Sequence, residues 1–185
     1  MDRRAFLAFG GAAMVVGVAV TFPFERGADA TQPRPGNFPY RLTDAQWRAR
    51  LSDMQYRVLR QGETERAGTS PLDKQYDPGV YHCAGCGQPL FEAGTKFNSR
   101  TGWPSFFAPF DAEHVREIRD TSHGMVRTEI VCARCGSHLG HVSPDGPPPT
   151  GERHCLNSVS LGFTPNGDRL PDLLQRGGAE AALAA

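Results

Sequence analysis

The unequal use of five cysteines constrains the fold of this chain more than any other feature. Four of them form two Cys-x-x-Cys-Gly sequences, 83–87 and 132–136, and the fifth, Cys155, stands alone. Each Cys-x-x-Cys-Gly sequence can form a tight turn that presents two sulfur atoms, and its glycine suits a left-handed backbone. Two such turns can place four thiolates around one zinc ion at roughly 2.3 Å. We therefore predict one structural Zn²⁺ held by Cys83, Cys86, Cys132 and Cys135.

Three other interpretations of the paired cysteines remain open at this point. In an exported protein the two pairs could oxidise to disulfides. A rubredoxin-like iron centre uses similar sequences. Redox-active Cys-x-x-Cys is the least favoured, because neither pair is predicted to open a helix as thioredoxin-type motifs do.

The composition limits the fold and the partners. A length of 185 residues suits one domain with additional segments. The 20 basic and 20 acidic side chains balance, so we expect no nucleic-acid partner. A hydrophobic content of 39% with 21 Gly and 15 Pro fits a loop-rich, strand-rich fold. Because the hydrophobic content is low for a chain of this size, a metal cross-link would help to stabilise the core.

The first thirty residues have the pattern of an export signal. Arg3 and Arg4 precede an apolar, glycine-rich run, and Ala28-Asp29-Ala30 offers a cleavage site between small residues. We predict that residues 1–30 are a twin-arginine signal peptide and that the mature protein is periplasmic or otherwise extracytoplasmic, touching the membrane only through this segment. An uncleaved anchor is the alternative, since residues 7–24 are almost long enough to span a bilayer.

Two short helices are predicted after a proline-rich linker at residues 31–41. Thr43-Asp44-Ala45-Gln46 and Ser52-Asp53-Met54-Gln55 are both capping boxes, so two helices should meet near Leu51. Gly62 is a suitable end for the second helix.

Strand patterns dominate the chain after residue 78. Alternating or β-branched segments occupy residues 79–83, 115–119, 125–131 and 154–163. We predict a mainly β (α+β) domain over residues 42–168, with the N-terminal helices packed on antiparallel sheets. Residues 169–185 are predicted to be a flexible tail.

The lone Cys155 is a candidate nucleophile. On a strand, Arg153, Cys155 and Asn157 would share one face, and Val159, Leu161 and Phe163 would continue that face into the core. The guanidinium would favour the thiolate, and the amide could position a substrate. The alternative is a half-buried structural cysteine, but flanking Arg and Asn side chains do not suit an apolar slot.

Two histidines and one tryptophan are further site candidates. His138 and His141 are three residues apart, and since cysteines saturate the zinc, we predict proton transfer as their role. Paired surface histidines are the alternative. Trp103 beside Pro104 could form the wall of an apolar pocket, although core packing explains such a tryptophan equally well.

These residues lie in motifs that resemble the peptide methionine-(R)-sulfoxide reductase family (MsrB type). The resemblance runs from about Leu42 to Pro165. It rests on Lys96-Phe97, Gly102-Trp103-Pro104-Ser105-Phe106, Ser122-His123-Gly124-Met125, His138-Leu139-Gly140-His141-Val142, Pro144-Asp145-Gly146 and Gly151-Glu152-Arg153-His154-Cys155-Leu156-Asn157-Ser158.

The resemblance implies two antiparallel sheets in a tent-like or barrel-like β fold, and reduction of the R epimer of methionine sulfoxide. By motif position Cys155 is the nucleophile, His138 and His141 lie in the pocket, Arg153 and Asn157 flank the thiol, and Trp103 receives the substrate methyl group. The implied partners are oxidised methionine residues in proteins and a thioredoxin-like or other thiol reductant. We expect a monomer.

The chemistry of these side chains agrees with the resemblance. A Cys155 thiolate would attack the sulfoxide sulfur while a histidine, most simply His141, protonates the oxygen, which leaves a sulfenic acid on Cys155. A binding module of the same shape without catalysis is the main alternative, and a rubredoxin-like electron carrier is another.

Two positions depart from the family pattern. Many members carry a resolving cysteine where this chain has Arg100-Thr101, so we predict a cycle in which an external thiol reduces the sulfenic acid directly. Ser143 stands where the family usually has Phe, which changes one pocket or core contact.

Overall fold

The computed structural model describes residues 36–171, in which strands dominate. The helices are α1 (Asp44–Arg50) and α2 (Asp53–Gln61), and the strands are β1 (Gly79–Cys83), β2 (Pro89–Glu92), β3 (Lys96–Phe97), β4 (Ser105–Phe106), β5 (Val115–Asp120), β6 (Arg127–Cys132), β7 (His138–Ser143), β8 (Arg153–Leu156) and β9 (Leu161–Pro165). Between residues 36 and 171, no helix combines the length and apolar character needed to cross a membrane. The predicted signal, residues 1–30, and all but the first residues of the predicted tail lie outside the described residues.

The strands form two antiparallel sheets. One has the order β2-β1-β9, and the other has the order β3-β4-β8-β7-β6-β5. With two short N-terminal helices, this confirms the predicted mainly β architecture.

Both predicted capping boxes begin a helix. The Thr43 side chain accepts a hydrogen bond from the Gln46 N–H at the start of α1, and the Gln46 side chain accepts one from the Thr43 N–H. Ser52 and Gln55 repeat this arrangement at the start of α2. Gly62 ends α2 in the left-handed region, with φ of 74°. Local side-chain chemistry therefore sets these helix boundaries, as the sequence predicts.

An aromatic cluster fills the core. Phe91 stacks on Phe106 with 4.7 Å between ring centroids, and Tyr81 meets Phe106 edge-on at 4.9 Å. All three side chains are fully buried. Because β1 and β2 belong to one sheet and β4 to the other, this cluster joins the two sheets.

The predicted continuous strand over residues 154–163 is wrong. β8 ends at Leu156 in the six-stranded sheet, a 3₁₀ turn occupies Ser158–Ser160, and β9 then joins the three-stranded sheet. The Ser160 hydroxyl donates to the Asn157 carbonyl oxygen at 2.6 Å, a local bond that competes with strand pairing. The side chains after Asn157 therefore do not continue one strand face.

Candidate active site and metal centre

Each Cys-x-x-Cys-Gly sequence forms a tight turn at the end of a strand. Gly87 and Gly136 have φ of 73° and 69°, as predicted for left-handed positions. Their N–H groups donate to the carbonyl oxygens of Cys83 and Cys132, each at 2.8 Å. The turns follow β1 and β6, so neither pair opens a helix, and the thioredoxin-type alternative finds no support.

The four cysteine sulfurs fit one zinc ion. All four are buried and lie within 4.8 Å of one another. Cys83 Sγ and Cys135 Sγ are 3.7 Å apart, and Cys86 Sγ and Cys132 Sγ are 3.6 Å apart. Bonds of about 2.3 Å in a tetrahedron require about 3.8 Å between sulfurs. A disulfide requires about 2.05 Å, so the geometry favours a metal over two disulfides.

The metal centre is enclosed by the N-terminal segment and α2. The Tyr40 N–H donates to the Arg134 carbonyl oxygen at 2.9 Å, and Arg60 Nη1 donates to the Cys135 carbonyl oxygen at 3.1 Å. Phe38 lies against Gly136, where an added Cβ would come within 2.7 Å of its ring. These contacts shield the second turn from water.

Cys155 lies on β8, between β4 and β7. In the sheet register it is directly opposite Ser105 on β4 and His141 on β7, and His141 is opposite Glu129 on β6. Side chains directly opposite in an antiparallel pair have Cβ atoms about 4.5–5.5 Å apart. The sheet therefore places an imidazole beside the lone thiol.

A β-bulge brings the second predicted histidine to the same face. Residues three apart on a regular strand face opposite sides. On β7, however, Gly140 pairs with Ile130 and His138 pairs with the next residue, Val131, so Leu139 is an extra residue. The rings of His138 and His141 are consequently 5.5 Å apart.

Asn157 satisfies the backbone of this bulge. The Leu139 carbonyl oxygen accepts hydrogen bonds from the Asn157 N–H at 2.8 Å and from its side-chain amide at 3.2 Å. The predicted role of Asn157 beside the thiol thus comes with a structural role, which is to hold the strand that carries the histidines.

Each histidine contacts a carboxylate that the sequence analysis missed. His138 Nδ1 lies 2.5 Å from Glu129 Oε1, and His141 Nε2 lies 2.9 Å from Asp120 Oδ2. His138 is only 3% exposed, whereas His141 is 21% exposed. His141 is therefore the histidine that a substrate can reach.

A cavity of about 180 Å³ opens beside the thiol. It is lined by Thr64, Trp103, Arg127, Gly140, His141, Cys155, Leu156 and Asn157. The predicted residues Trp103, His141, Cys155 and Asn157 thus meet in one pocket, while His138 and Arg153 are not among its lining residues.

The pKa of the Cys155 thiol is raised in the free protein. Burial raises its pKa above the ordinary value, while Thr101, Arg153 and Ser105 lower it in part. The Thr101 hydroxyl oxygen is 3.9 Å from Cys155 Sγ. The charge of Arg153 lowers the pKa of Cys155, but burial raises it by more. Arg153 also donates to Asp145 at 2.8 and 3.0 Å, which partly neutralises its charge.

Glu65 is a second residue that the sequence analysis missed. It is buried, and its carboxylate accepts hydrogen bonds from the backbone N–H groups of Ser158 and Val159. Its N–H donates to Asn157 Oδ1 at 3.0 Å, and its carbonyl oxygen accepts from Trp103 Nε1 at 3.2 Å. Glu65 therefore connects the chain after α2 to Asn157 and Trp103, which both line the cavity.

Comparisons with known proteins place these features in a family. The SelR domain model matches residues 51–165. The peptide methionine sulfoxide reductase MsrB of Thiobacillus denitrificans is 61% identical over 123 residues, which cover 66% of this chain and 93% of that protein. The MsrB of Methylibium petroleiphilum is 57% identical over 123 residues, covering 66% and 89%. The MsrB of Pseudomonas putida (strain KT2440) is 54% identical over 120 residues, covering 65% and 92%.

Proposed function

The chain belongs to the SelR-domain family of MsrB-type peptide methionine sulfoxide reductases, and we propose that it reduces the R epimer of methionine sulfoxide in oxidised proteins. The observation that carries this proposal is the register of β7 and β8, which puts His141 opposite Cys155 in an open cavity. A buried four-cysteine zinc site supports the fold that holds this register.

Substrate binding uses the cavity walls. We propose that Trp103 contacts the methyl group of the sulfoxide, since its ring lines the cavity and its Nε1–H is fixed on Glu65. The sulfoxide oxygen would then point toward His141. Because the thiol, the imidazole and the indole are all fixed by backbone or cross-strand contacts, the site needs little rearrangement to bind substrate.

The oxygen transfer is balanced by one proton and two electrons. The Cys155 thiolate supplies an electron pair to the sulfoxide sulfur, and His141 supplies the proton to the oxygen. The sulfur–sulfur bond that this attack forms is transient. The hydroxyl group passes from the substrate sulfur to Cys155 Sγ while the sulfur–sulfur bond breaks and its electron pair stays on the sulfur of methionine, so methionine leaves and Cys155 becomes a sulfenic acid. The zinc ion, with four sulfur ligands, holds the fold and takes no part in this step.

Regeneration requires thiols from outside the chain. The other four cysteines form the metal site, so within this chain no free thiol remains to attack the sulfenic acid. One external thiol forms a mixed disulfide and releases water, and a second thiol then frees Cys155. We propose a thioredoxin-like or small-molecule thiol reductant, and a monomeric enzyme.

A stereochemical assay tests the proposed activity. Purified protein with dithiothreitol should reduce a peptide that contains R methionine sulfoxide and leave the S epimer unchanged. The Cys155→Ser variant should be inactive while it keeps its zinc. Reduction of the S epimer, or activity without Cys155, would contradict the proposal.

We also propose that the enzyme repairs proteins outside the cytoplasm, on the basis of the twin-arginine pattern at Arg3 and Arg4. Fractionation of cells should find the mature protein beyond the cytoplasmic membrane, with its N-terminus at Thr31. Replacing both arginines with lysine should retain the full-length chain in the cytoplasm. Equal export of this variant would contradict the assignment.

A further inference from the structure

Asp120, at the end of β5, accepts hydrogen bonds from three groups. One of these groups is the imidazole of His141, which is opposite Cys155. Its carboxylate accepts from the Ser122 N–H at 2.8 Å, from Arg127 Nη2 at 2.6 Å and from His141 Nε2 at 2.9 Å. The side chain is 15% exposed, so these donors replace much of its contact with water.

The carboxyl group of Asp120 is ionised in this setting. Partial burial alone would raise its pKa, but hydrogen bonds from Ser122 and His141 and the charge of Arg127 hold the pKa well below the usual range. An ionised carboxylate accepts hydrogen bonds and donates none. The nitrogen of His141 that faces Asp120, Nε2, therefore carries a hydrogen whether the ring is neutral or protonated.

This contact determines which ring nitrogen of His141 can exchange a proton with a substrate. Because Nε2 is held by Asp120, Nδ1 is the nitrogen left for the cavity that His141 shares with Cys155. The charged and titratable groups around the ring are Asp120 on β5, Arg127 and Glu129 on β6, His138 on β7, and Arg153 and Cys155 on β8. Of the two carboxylates, Glu129 contacts His138, so Asp120 is the one that contacts His141.

We propose that Asp120 is a positioning residue for the reaction, and that it assigns Nδ1 of His141 as the proton-donating atom. This inference rests on the proposed function. In the oxygen-transfer step the Nδ1–H bond of the imidazolium breaks and an O–H bond forms on the oxygen that passes to Cys155. The Nε2–H group of His141 remains hydrogen-bonded to Asp120 throughout.

The Asp120→Asn variant tests the positioning role. Its amide can turn N–H groups toward Nε2 and favour the other tautomer, so kcat should fall by about 10–100-fold. The KM for an R-sulfoxide peptide and the zinc content should change little. Asp120→Glu, which keeps the carboxylate, should restore part of the loss.

Asp111→Asn is the matched control. Asp111 caps the turn before β5 by accepting from the Glu113 N–H at 2.8 Å, much as Asp120 caps the turn after it. This variant loses a carboxylate at a comparable turn away from the cavity, and its kcat should equal that of the wild type. An equal loss of kcat in both variants would mean that the stability of the β5–β6 pair, and not the orientation of the His141 ring, explains the effect.

Two measurements distinguish a change in the His141 ring from a general loss of folded structure in Asp120→Asn. Side-chain ¹⁵N spectra, assigned with His141→Gln, should show the Nε2–H tautomer of neutral His141 in the wild type and a changed tautomer population in Asp120→Asn. The double variant Asp120→Asn/His141→Gln should be no slower than His141→Gln alone.

The outcomes distinguish this inference from the proposed function. An Nδ1–H tautomer in the wild type, or an unchanged kcat in Asp120→Asn, would overturn the role of Asp120 while R-sulfoxide reduction by the wild type still stands. A wild-type protein that does not reduce the R sulfoxide would overturn the proposed function, and the tautomer measurement would then still report whether Asp120 fixes the ring.

Discussion

Hydroxyl groups extend from the reactive sulfur into the loop before β4. Thr101 Oγ1 is 3.9 Å from Cys155 Sγ and 2.8 Å from Ser99 Oγ, which in turn is 2.7 Å from Ser105 Oγ. The sequence analysis predicts that the stretch Arg100-Thr101 stands in place of a resolving cysteine, and the Thr101 hydroxyl is the group of this stretch that contacts the thiol. The residue on which the proposed one-cysteine cycle depends is therefore also a neighbour of the thiol.

Replacing Thr101 with cysteine should convert the one-cysteine cycle into a two-cysteine cycle. The γ atom of residue 101 is already 3.9 Å from Cys155 Sγ, so a small movement would allow a disulfide. After treatment with sulfoxide alone, mass spectrometry should find the Thr101→Cys variant two hydrogens lighter, with a 101–155 disulfide. The wild type should instead gain one oxygen on Cys155. A variant that also carries only the extra oxygen would contradict this prediction.

Removing the Thr101 hydroxyl should make the thiol harder to ionise. Burial raises the pKa of Cys155, and Thr101 is the first of the groups that lower it in part. In Thr101→Val the thiolate should therefore appear at higher pH, and alkylation by iodoacetamide at neutral pH should slow. A pH series of alkylation rates measures this shift. Thr69→Val, which loses only a bond to the Arg66 carbonyl, should match the wild type.

At the residue scale, the sequence predicts the groups that we propose to react, but not the groups that contact and hold them. Cys155 and His141 stand out because a thiol and an imidazole have few other uses in such motifs. Asp120, Glu129 and Glu65 were missed because carboxylates are common, and their contacts depend on strand register and on a loop path. The sequence around Glu65 contains only polar and small residues, which gives no sign that this side chain is buried.

Two local irregularities in the strands shape the site at the level of elements. The extra residue on β7 brings His138 beside His141, and the 3₁₀ turn after β8 moves the chain from one sheet to the other. Capping boxes are complete within four residues, so the helix starts could be predicted. The bulge depends on the pairing of β7 with β6, and the turn depends on Glu65, so neither could be predicted from local sequence.

The Glu65→Gln variant should destabilise the turn between β8 and β9. Both carboxylate oxygens of Glu65 accept backbone N–H groups, from Ser158 and Val159, and an amide can replace only one oxygen. A buried N–H left without an acceptor costs about 1–3 kcal/mol, which urea unfolding can measure. The control is Glu63→Gln, whose exposed ion pair with Arg57 contributes about 0–1 kcal/mol. Equal unfolding midpoints for the two variants would contradict this account.

On the scale of the whole molecule, the metal centre joins the two sheets that residues 36–171 form. Cys83 ends β1 in the three-stranded sheet, and Cys132 ends β6 in the six-stranded sheet. The spacing of the cysteines predicts the metal site, but it does not reveal that the site connects the sheets, because sheet membership is set by long-range pairing. Cys155 on β8 and His141 on β7 belong to the same sheet as Cys132 on β6, so loss of the metal should also disturb catalysis.

Replacing Cys132 with serine should therefore unfold the protein, whereas Cys155→Ser should not. Structural zinc contributes on the order of 10–16 kcal/mol in small zinc domains. The total stability of a domain is about 5–15 kcal/mol, so the sheets should not remain associated without the ion. Calorimetry should show no cooperative transition for Cys132→Ser, and metal analysis should show no zinc. Cys155→Ser should keep one zinc per chain and melt as the wild type does, because its sulfur lies outside the four-cysteine cluster. A metal-free Cys132→Ser protein that melts cooperatively at the wild-type temperature would show that the core alone holds the sheets together.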